Sequence, residues 1–487
     1  MERYKLSILF FLLGGVELYA QETPRWTAMF ERINAEVQAH SEAYDRLGES
    51  IGIIGHRLTG SANGRRAEQY AFDLLKSYGF KEVSFQPFAV NGWAREHLTL
   101  QVNTAGKPPE AVKAVALAST PATAHVQGSL VDMGNGLADD YAADPEKARG
   151  KIVLAALNLL PNSPEGTKNL HRSAKAALAI QYGAKGIILF NSVDGGTLLT
   201  GTASITGELL SIPAICIGLE DGLRLKGAIT SGYQQVIIDM KNTTGSMQAR
   251  NVIARMEGTE LPGEKIVVGG HLDSWDLAQG AVDNGLGAFS VMDMARTFIA
   301  LGIKPKRTIE FVLFMGEEQG LLGSKAYLQQ AIANGTADRI RFMLNFDMTN
   351  DPKSFYASLE GCRPLFEDIG HAAALVDTAF RNSFSARVGL YSDHQPFMLQ
   401  GIPIGGASDG TLSRSALNCY HADCDVFELV DEQEMKNTVR FGSMLVYGLA
   451  NAHEIPVQRL PDSEVKQQMV DNNLEEALRI GGDWRWD

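Results

Sequence analysis

The chain has 487 residues, with 44 Lys and Arg against 57 Asp and Glu and a formal net charge of −13. Hydrophobic residues make up 45% and charged residues 21%, a globular balance that excludes disordered and fibrous classes. The acidic surplus excludes a general nucleic-acid binder, and no apolar run reaches the roughly 20 residues a membrane span requires.

Residues 1–20 read as a cleavable export signal. Arg3 and Lys5 precede an apolar stretch from Leu6 to Leu13, and Leu18-Tyr19-Ala20 ends in a small residue. The mature chain then starts near Gln21 and is secreted or periplasmic. Cys216, Cys362, Cys419 and Cys424 lack the spacing of a structural zinc knuckle, so they are incidental or form one bridge.

From Trp26 to about Leu47 the apolar pattern is helical, and a second helix runs from Ala67 to Tyr78, closed by Gly79. Between them lies the turn Gly55-His56-Arg57-Leu58-Thr59-Gly60-Ser61. Val83 to Val90 and His97 to Val102 alternate as strands. The texture changes near Gln127. Strands at Lys151–Ala155, Gly186–Phe190 and Ile212–Ile217, with a helix over Ser173–Tyr182 and a closing strand at Val236–Met240, predict a small αβ unit with its own core.

After Asn251 a second αβ series carries polar residues at its strand ends. Ile266–Val268 runs into His271, Thr308–Phe314 into Gly316-Glu317-Glu318, and Met343–Phe346 into Asp347. Ile402–Ile404 leads to a loop that reaches His421, and Leu286–Leu301 is the most prominent helix between strands. This alternation predicts an α/β fold: a mostly parallel mixed sheet with helices on both faces, with ligands at the carboxyl ends of its strands. The division expected is a signal peptide (1–20), a catalytic domain in two parts (21–124 and 246–455), an inserted αβ domain (125–245) and a C-terminal tail (456–487). The Gly-rich stretches lack a nucleotide-binding signature.

His271, Asp283, Glu318, Asp347 and His421 offer two imidazoles and three carboxylates. Adjacent acids at the end of an apolar strand disfavour each other's charge unless cations lie nearby. Zinc takes imidazole and carboxylate ligands, and two Zn2+ per chain sharing a carboxylate and a hydroxide would use the whole set. Glu317 is then free to act as general base. Asp273 would accept the second N–H of His271 and fix its ring. Trp275 is expected to pack beside the site, with Asp276 and Gln279 as possible lining residues. His40, His56, His97, His125, His171, His371 and His453 are expected in surface or structural roles.

The runs His271-Leu-Asp-Ser-Trp-Asp, Gly280-Ala-Val-Asp-Asn-Gly, Gly316-Glu-Glu-Gln-Gly and Tyr420-His-Ala-Asp-Cys-Asp resemble the co-catalytic zinc exopeptidases of the aminopeptidase family. Asp273-Ser274-Trp275-Asp276 and Lys304-Pro305-Lys306-Arg307-Thr308 are similar to its plasma glutamate carboxypeptidase branch. Gly150-Lys151-Ile152-Val153 and Gly183-Ala184-Lys185-Gly186-Ile187-Ile188 resemble a protease-associated domain. The resemblance implies Asp283 as bridging ligand, His271 and Asp347 on one zinc, Glu318 and His421 on the other, and Glu317 as base and acid. It further implies short peptide or dipeptide substrates, an insert that walls the cleft, and a homodimer. In relatives the loop holding His394 lies close to the substrate; a helix-capping role is the alternative. Competing functions are a glutaminyl cyclase and a non-catalytic, receptor-like binding protein of the same architecture.

Overall fold

The four strands that carry the candidate residues lie side by side. In the computed structural model, which describes residues 26–104, 108–232 and 234–487, they follow the order Ile404–Ser408, Ile340–Asn345, Leu261–His271, Arg307–Phe314. All three pairings between them are parallel, so their carboxyl ends open on one edge. Arg307–Phe314 and nearly all of Ile340–Asn345 are buried, as expected for strands covered on both faces. Outside this block Ser354–Ala357 is antiparallel, Phe384–Ala386 pairs with it, and Gln234–Met256 is antiparallel on the other side. The fold is α/β, as read from the alternation. The expected signal peptide lies outside the described residues.

The helix Leu286–Ala300 is buried along nearly its whole length, because it packs against the sheet and against the helices Ala43–Ile54 and Glu432–Asn451. The expected helix from Trp26 to Leu47 is two helices, 26–40 and Ala43–Ile54. Asp293 of the buried helix explains the break: its carboxylate accepts from Ser41 Oγ (2.7 Å) and from the Glu42 amide (3.3 Å). Ser61 caps the next helix, Ala62–Ser77, by accepting from the Gly64 amide.

Val83–Val90 and His97–Val102 are halves of one strand, Glu82–Thr104, with a register shift between Arg95 and His97. It pairs along its length with Gln234–Met256, and this ribbon carries the chain out to the insert. The insert's strands follow the order Thr123–Asp132, Ile152–Ala156, Gly186–Phe190, Ala214–Ile217, Ala114–Ala116. Ala114–Ala116 thus joins the insert's sheet from ahead of residue 125. Residues 456–487 form helices at Asp462–Asp471 and Glu475–Gly481, whose Met469 and Leu478 are buried against Phe397 and Ile404. No helix among the described residues is long and apolar enough to cross a membrane.

Candidate metal centre

Asp283 stands at the centre of the strand-end cluster. Its Oδ1 lies 3.2 Å from His271 Nε2, and its Oδ2 lies 3.1 Å from His421 Nε2. Asp347 Oδ1 approaches His271 Nε2 at 3.4 Å, and Glu318 Oε2 approaches His421 Nε2 at 2.9 Å. The structure therefore brings together His271, Asp283, Glu318, Asp347 and His421, with Asp283 between two imidazoles and one further carboxylate beside each.

Each residue is held from behind. Arg57, fully buried, donates from Nε to the Leu272 carbonyl (2.6 Å) and from its Nη atoms to those of Gln279 (3.0 Å) and Gly280 (2.7 Å). Gly280 has φ +62°, and a Cβ there would lie 2.2 Å from Ser274 Cβ, so the loop before Asp283 requires glycine. Asn284 donates to the Phe346 carbonyl (2.9 Å) and accepts from the Met348 amide (3.0 Å), which ties the Asp283 loop to the Asp347 loop. Ser392 Oγ donates to Asp347 Oδ2 at 2.6 Å.

His421 lies in a loop closed by the Cys419–Cys424 disulfide, while Cys216 and Cys362 are buried free thiols. The insert grips the same loop. The Thr200 amide donates to the His421 carbonyl (2.8 Å), and the Asp423 amide donates to the Leu198 carbonyl (3.0 Å). Asp423 in turn accepts from the Leu198 amide (3.1 Å) and from Lys113 (3.1 Å). From within the insert Arg172 reaches His421 Nδ1 at 3.2 Å.

The charges here are mutually dependent. Burial lifts the Glu318 carboxyl to about 7, with Asp283 adding and His421 opposing. Burial works against a charged His421, but Glu318 and Asp283 outweigh it and raise its pKa to about 9. Burial likewise opposes charge on His271, where Asp347 and Glu317 prevail and hold it well above the ordinary range. Glu317 is pushed well above the carboxylate range by burial, against His271, with Asp347, Glu318 and Asp393 adding to the rise. Asp393, fully buried, is raised to about 7 for the same first reason.

Asp273 departs from its expected contact. His271 Nδ1 meets the Asp273 backbone carbonyl at 3.1 Å, while the Asp273 carboxylate lies 3.7 Å away. That carboxylate accepts from the Glu317 amide (3.2 Å), so it positions Glu317, and the strand end itself fixes the His271 ring. Trp275 packs edge-on to His421 with ring centroids 6.1 Å apart. Asp276 and Gln279 do not line the site. Asp276 pairs with Arg95 (2.6 Å), and Gln279 Oε1 accepts from the Phe427 amide (2.7 Å), because both are nearer to these partners in the wall. His394 caps no helix; its ring lies 3.1 Å from the Gly389 carbonyl and 3.5 Å from Asn345 Nδ2. His171 caps the helix Arg172–Gln181.

Arg57, Arg172 and Asp425 are the residues that sequence reasoning missed as parts of the site. Asp425 accepts from the amides of Val282 (2.8 Å) and Asp283 (3.1 Å). An acid four residues after His421 was the available signal; Arg172 offered none in its spacing.

The donor set fits divalent metal. His271, Asp283 and Glu318 are all buried, and each offers a ligand atom within 4.8 Å of the others. Glu318 Oε1 is buried without a hydrogen-bond partner, the condition of a carboxylate oxygen waiting for a cation.

The family model for peptidase family M28 matches residues 251–446, and that for the PA domain matches residues 126–225. Carboxypeptidase Q of Homo sapiens is 28% identical over 312 residues, covering 60% of this chain and 62% of that protein, less than two thirds of its length. A probable leucine aminopeptidase 2 of Aspergillus fumigatus is 28% identical over 366 residues, covering 73% and 68% respectively. The crystal structure of a peptidase M28 precursor from Shewanella amazonensis superposes with a TM-score of 0.75 at 21% identity, covering 90% of this chain and 100% of that one. The M28 match contains all five residues of the cluster, His271, Asp283, Glu318, Asp347 and His421. Residues 251–446 thus carry a peptidase family M28 match, and residues 126–225 carry a PA domain match.

Proposed function

We propose that the protein is a secreted, zinc-dependent exopeptidase that removes single residues from short peptides. One observation carries this reading: the two oxygens of Asp283 are divided between the imidazoles of His271 and His421. His271, Asp283 and Asp347 would hold one cation, and His421, Asp283 and Glu318 a second. When bound, zinc supplies Lewis acidity to the scissile carbonyl and acidifies water at the site.

The remaining work belongs to side chains. Glu317 follows the same strand as Glu318 but is held differently, through its amide on Asp273 Oδ1. Its carboxyl, raised by burial and by the acids Asp347, Glu318 and Asp393 against the pull of His271, is suited to take a proton from water and return it to the leaving amine. Arg57 and Asp425 keep the Asp283 loop in place while this happens. The insert covers the His421 side, and a covered cleft admits short peptides in preference to folded chains. The Cys419–Cys424 disulfide agrees with an oxidising compartment.

Elemental analysis together with dipeptide hydrolysis tests the reading. The expected result is two zinc ions per chain and activity lost with a chelator and regained with zinc. Full activity in reproducibly single-metal protein would overturn the bridged site.

A further inference from the structure

One indole at the cluster carries an N–H that the protein itself does not use. Trp275 is 5% exposed, and its Nε1 is buried with no acceptor among the described residues. A buried Trp N–H normally finds a partner, as Trp93 does by donating to the Thr120 carbonyl at 3.0 Å. The Trp275 ring otherwise belongs to an apolar cluster with Leu58, Trp93 and Leu100, side chains that offer no acceptor.

Trp275 also lines the small cavity beside the cluster, together with Asp283, Glu318, His421 and Asp425. Glu318 Oε1 is a second buried atom there without a partner. The two are complementary, since an indole N–H only donates and a carboxylate oxygen only accepts. They lie beyond direct hydrogen-bonding distance of each other. The cavity offers about 10 Å³ to the centre of a water molecule, which is room for one.

Donors for Glu318 are few. Of the side chains that line the cavity, only those of Trp275 and His421 contain nitrogen. His421 Nε2 faces Glu318 Oε2 and Asp283 Oδ2, and its Nδ1 faces Arg172. A carboxylate that holds a cation through one oxygen still has a second to satisfy, and hydrogen bonds of this kind orient ligating carboxylates. Asp425, which accepts from the Val282 and Asp283 amides, borders the same cavity and gives a water there a third partner.

Resting on the two-cation reading above, we propose that Trp275 is a positioning residue: its N–H donates to one water, and that water donates to Glu318 and holds its remaining oxygen. Trp275 lies four residues after His271. The loop that follows a ligand of one cation thus supports a ligand of the other, and occupancy of the His421 side depends on that support.

The test deletes the N–H and keeps the ring. Trp275→benzothienylalanine, introduced at that site alone, puts sulfur in place of N–H in a ring of the same shape. Trp275→Phe is the simpler variant, and the sulfur analogue carries the comparison should it fail to fold. Competition with a fluorescent zinc chelator should show one of the two zincs bound about 10-fold more weakly in both variants, and the other at wild-type affinity. In wild type labelled with 15N-tryptophan, the Trp275 Nε1–H signal is assigned by its loss in Trp275→Phe. It should show cross-relaxation with water and should shift when zinc is added. Wild-type affinity for both zincs in the benzothienylalanine protein would overturn the role, and so would an indole N–H without contact to water. A loss confined to Trp275→Phe would assign the effect to packing and overturn it equally. A wild type that binds one zinc or none, while the indole N–H still contacts water, would overturn the two-cation reading and leave the water bridge standing.

Discussion

Asp425 holds the backbone of Asp283: its two carboxylate oxygens accept from the amides of Val282 (2.8 Å) and Asp283 (3.1 Å). One acid thus fixes the main chain of another whose side chain lies between two imidazoles. Burial raises the Asp425 carboxyl to about 6, and the two amides work against the rise. Asp425→Ala should therefore disturb the metal site without removing a ligand. The expected loss is about 10–100-fold in metal affinity, the usual effect of removing a group that orients a ligand. Leaving two buried amides unpaired should also cost about 1–3 kcal/mol of stability. Competition with a fluorescent zinc chelator and thermal melting would measure the two effects; metal affinity equal to wild type would show that Asp283 holds its place unaided.

Glu317 and Glu318 are neighbours in sequence but occupy different places. Glu318 is 6% exposed and reaches His421 at 2.9 Å, whereas Glu317 is partly exposed and is anchored through its amide. Glu317→Gln should keep the metal and lose about 10²–10⁴-fold in kcat, the range for a general base. Glu318→Gln should lose metal from the His421 side. Elemental analysis beside steady-state kinetics separates them, and equal metal loss in both variants would merge the two roles.

How much of this was legible depends on how each residue acts. His271, Glu317, Glu318 and Asp347 follow apolar strands, so strand period and residue type place them on one edge. Asp283 and His421 lie on loops and were read from their motifs. Arg57 acts on backbone groups, which leave no residue-type signal at their own positions, and Asp425 is signalled only as an acid four residues after His421. Arg172 meets His421 from the insert, about 250 residues away in sequence, a contact that no local spacing encodes. The same distinction explains the helix break near Ser41: Asp293, far along the chain, supplies the competing hydrogen bonds.

The contact between insert and His421 loop changes what removal of the insert should do. The insert contributes no member of the cluster, yet Leu198 and Thr200 hold the loop through main-chain hydrogen bonds at 2.8–3.0 Å. Replacing residues 126–225 by a Gly/Ser linker should therefore lower zinc content as well as alter substrate length preference. Loss is expected on the His421 side, with the His271 and Asp347 side retained. Wild-type zinc content in a folded, shortened protein would show that the disulfide alone suffices to hold the loop.

Lys175 offers a test of the insert's own interior. Its side chain is buried and donates to the carbonyls of Ala156 (2.7 Å) and Leu157 (3.0 Å). Burial lowers its pKa from 10.5 to about 8, with Asp140 opposing. Below pH 8 the lysine is protonated in folded and unfolded chains alike, and the folded state bears the full cost of the buried charge. Between about 8 and 10.5 the unfolded chain holds the proton and the folded chain does not, so stability should rise with pH across that window. Above it neither state is charged and the cost is gone. Lys175→Met should remove this part of the rise. It should also take the lysine donor from the Ala156 carbonyl, while that of Leu157 keeps Asn169 Nδ2 at 3.1 Å, lowering stability at high pH by about 1 kcal/mol. Denaturant unfolding of both proteins at intervals from pH 7 to 11 would measure the difference in slope. A wild-type slope no steeper than that of Lys175→Met would mean that the lysine keeps its charge inside the fold, with the two carbonyls sufficient to solvate it.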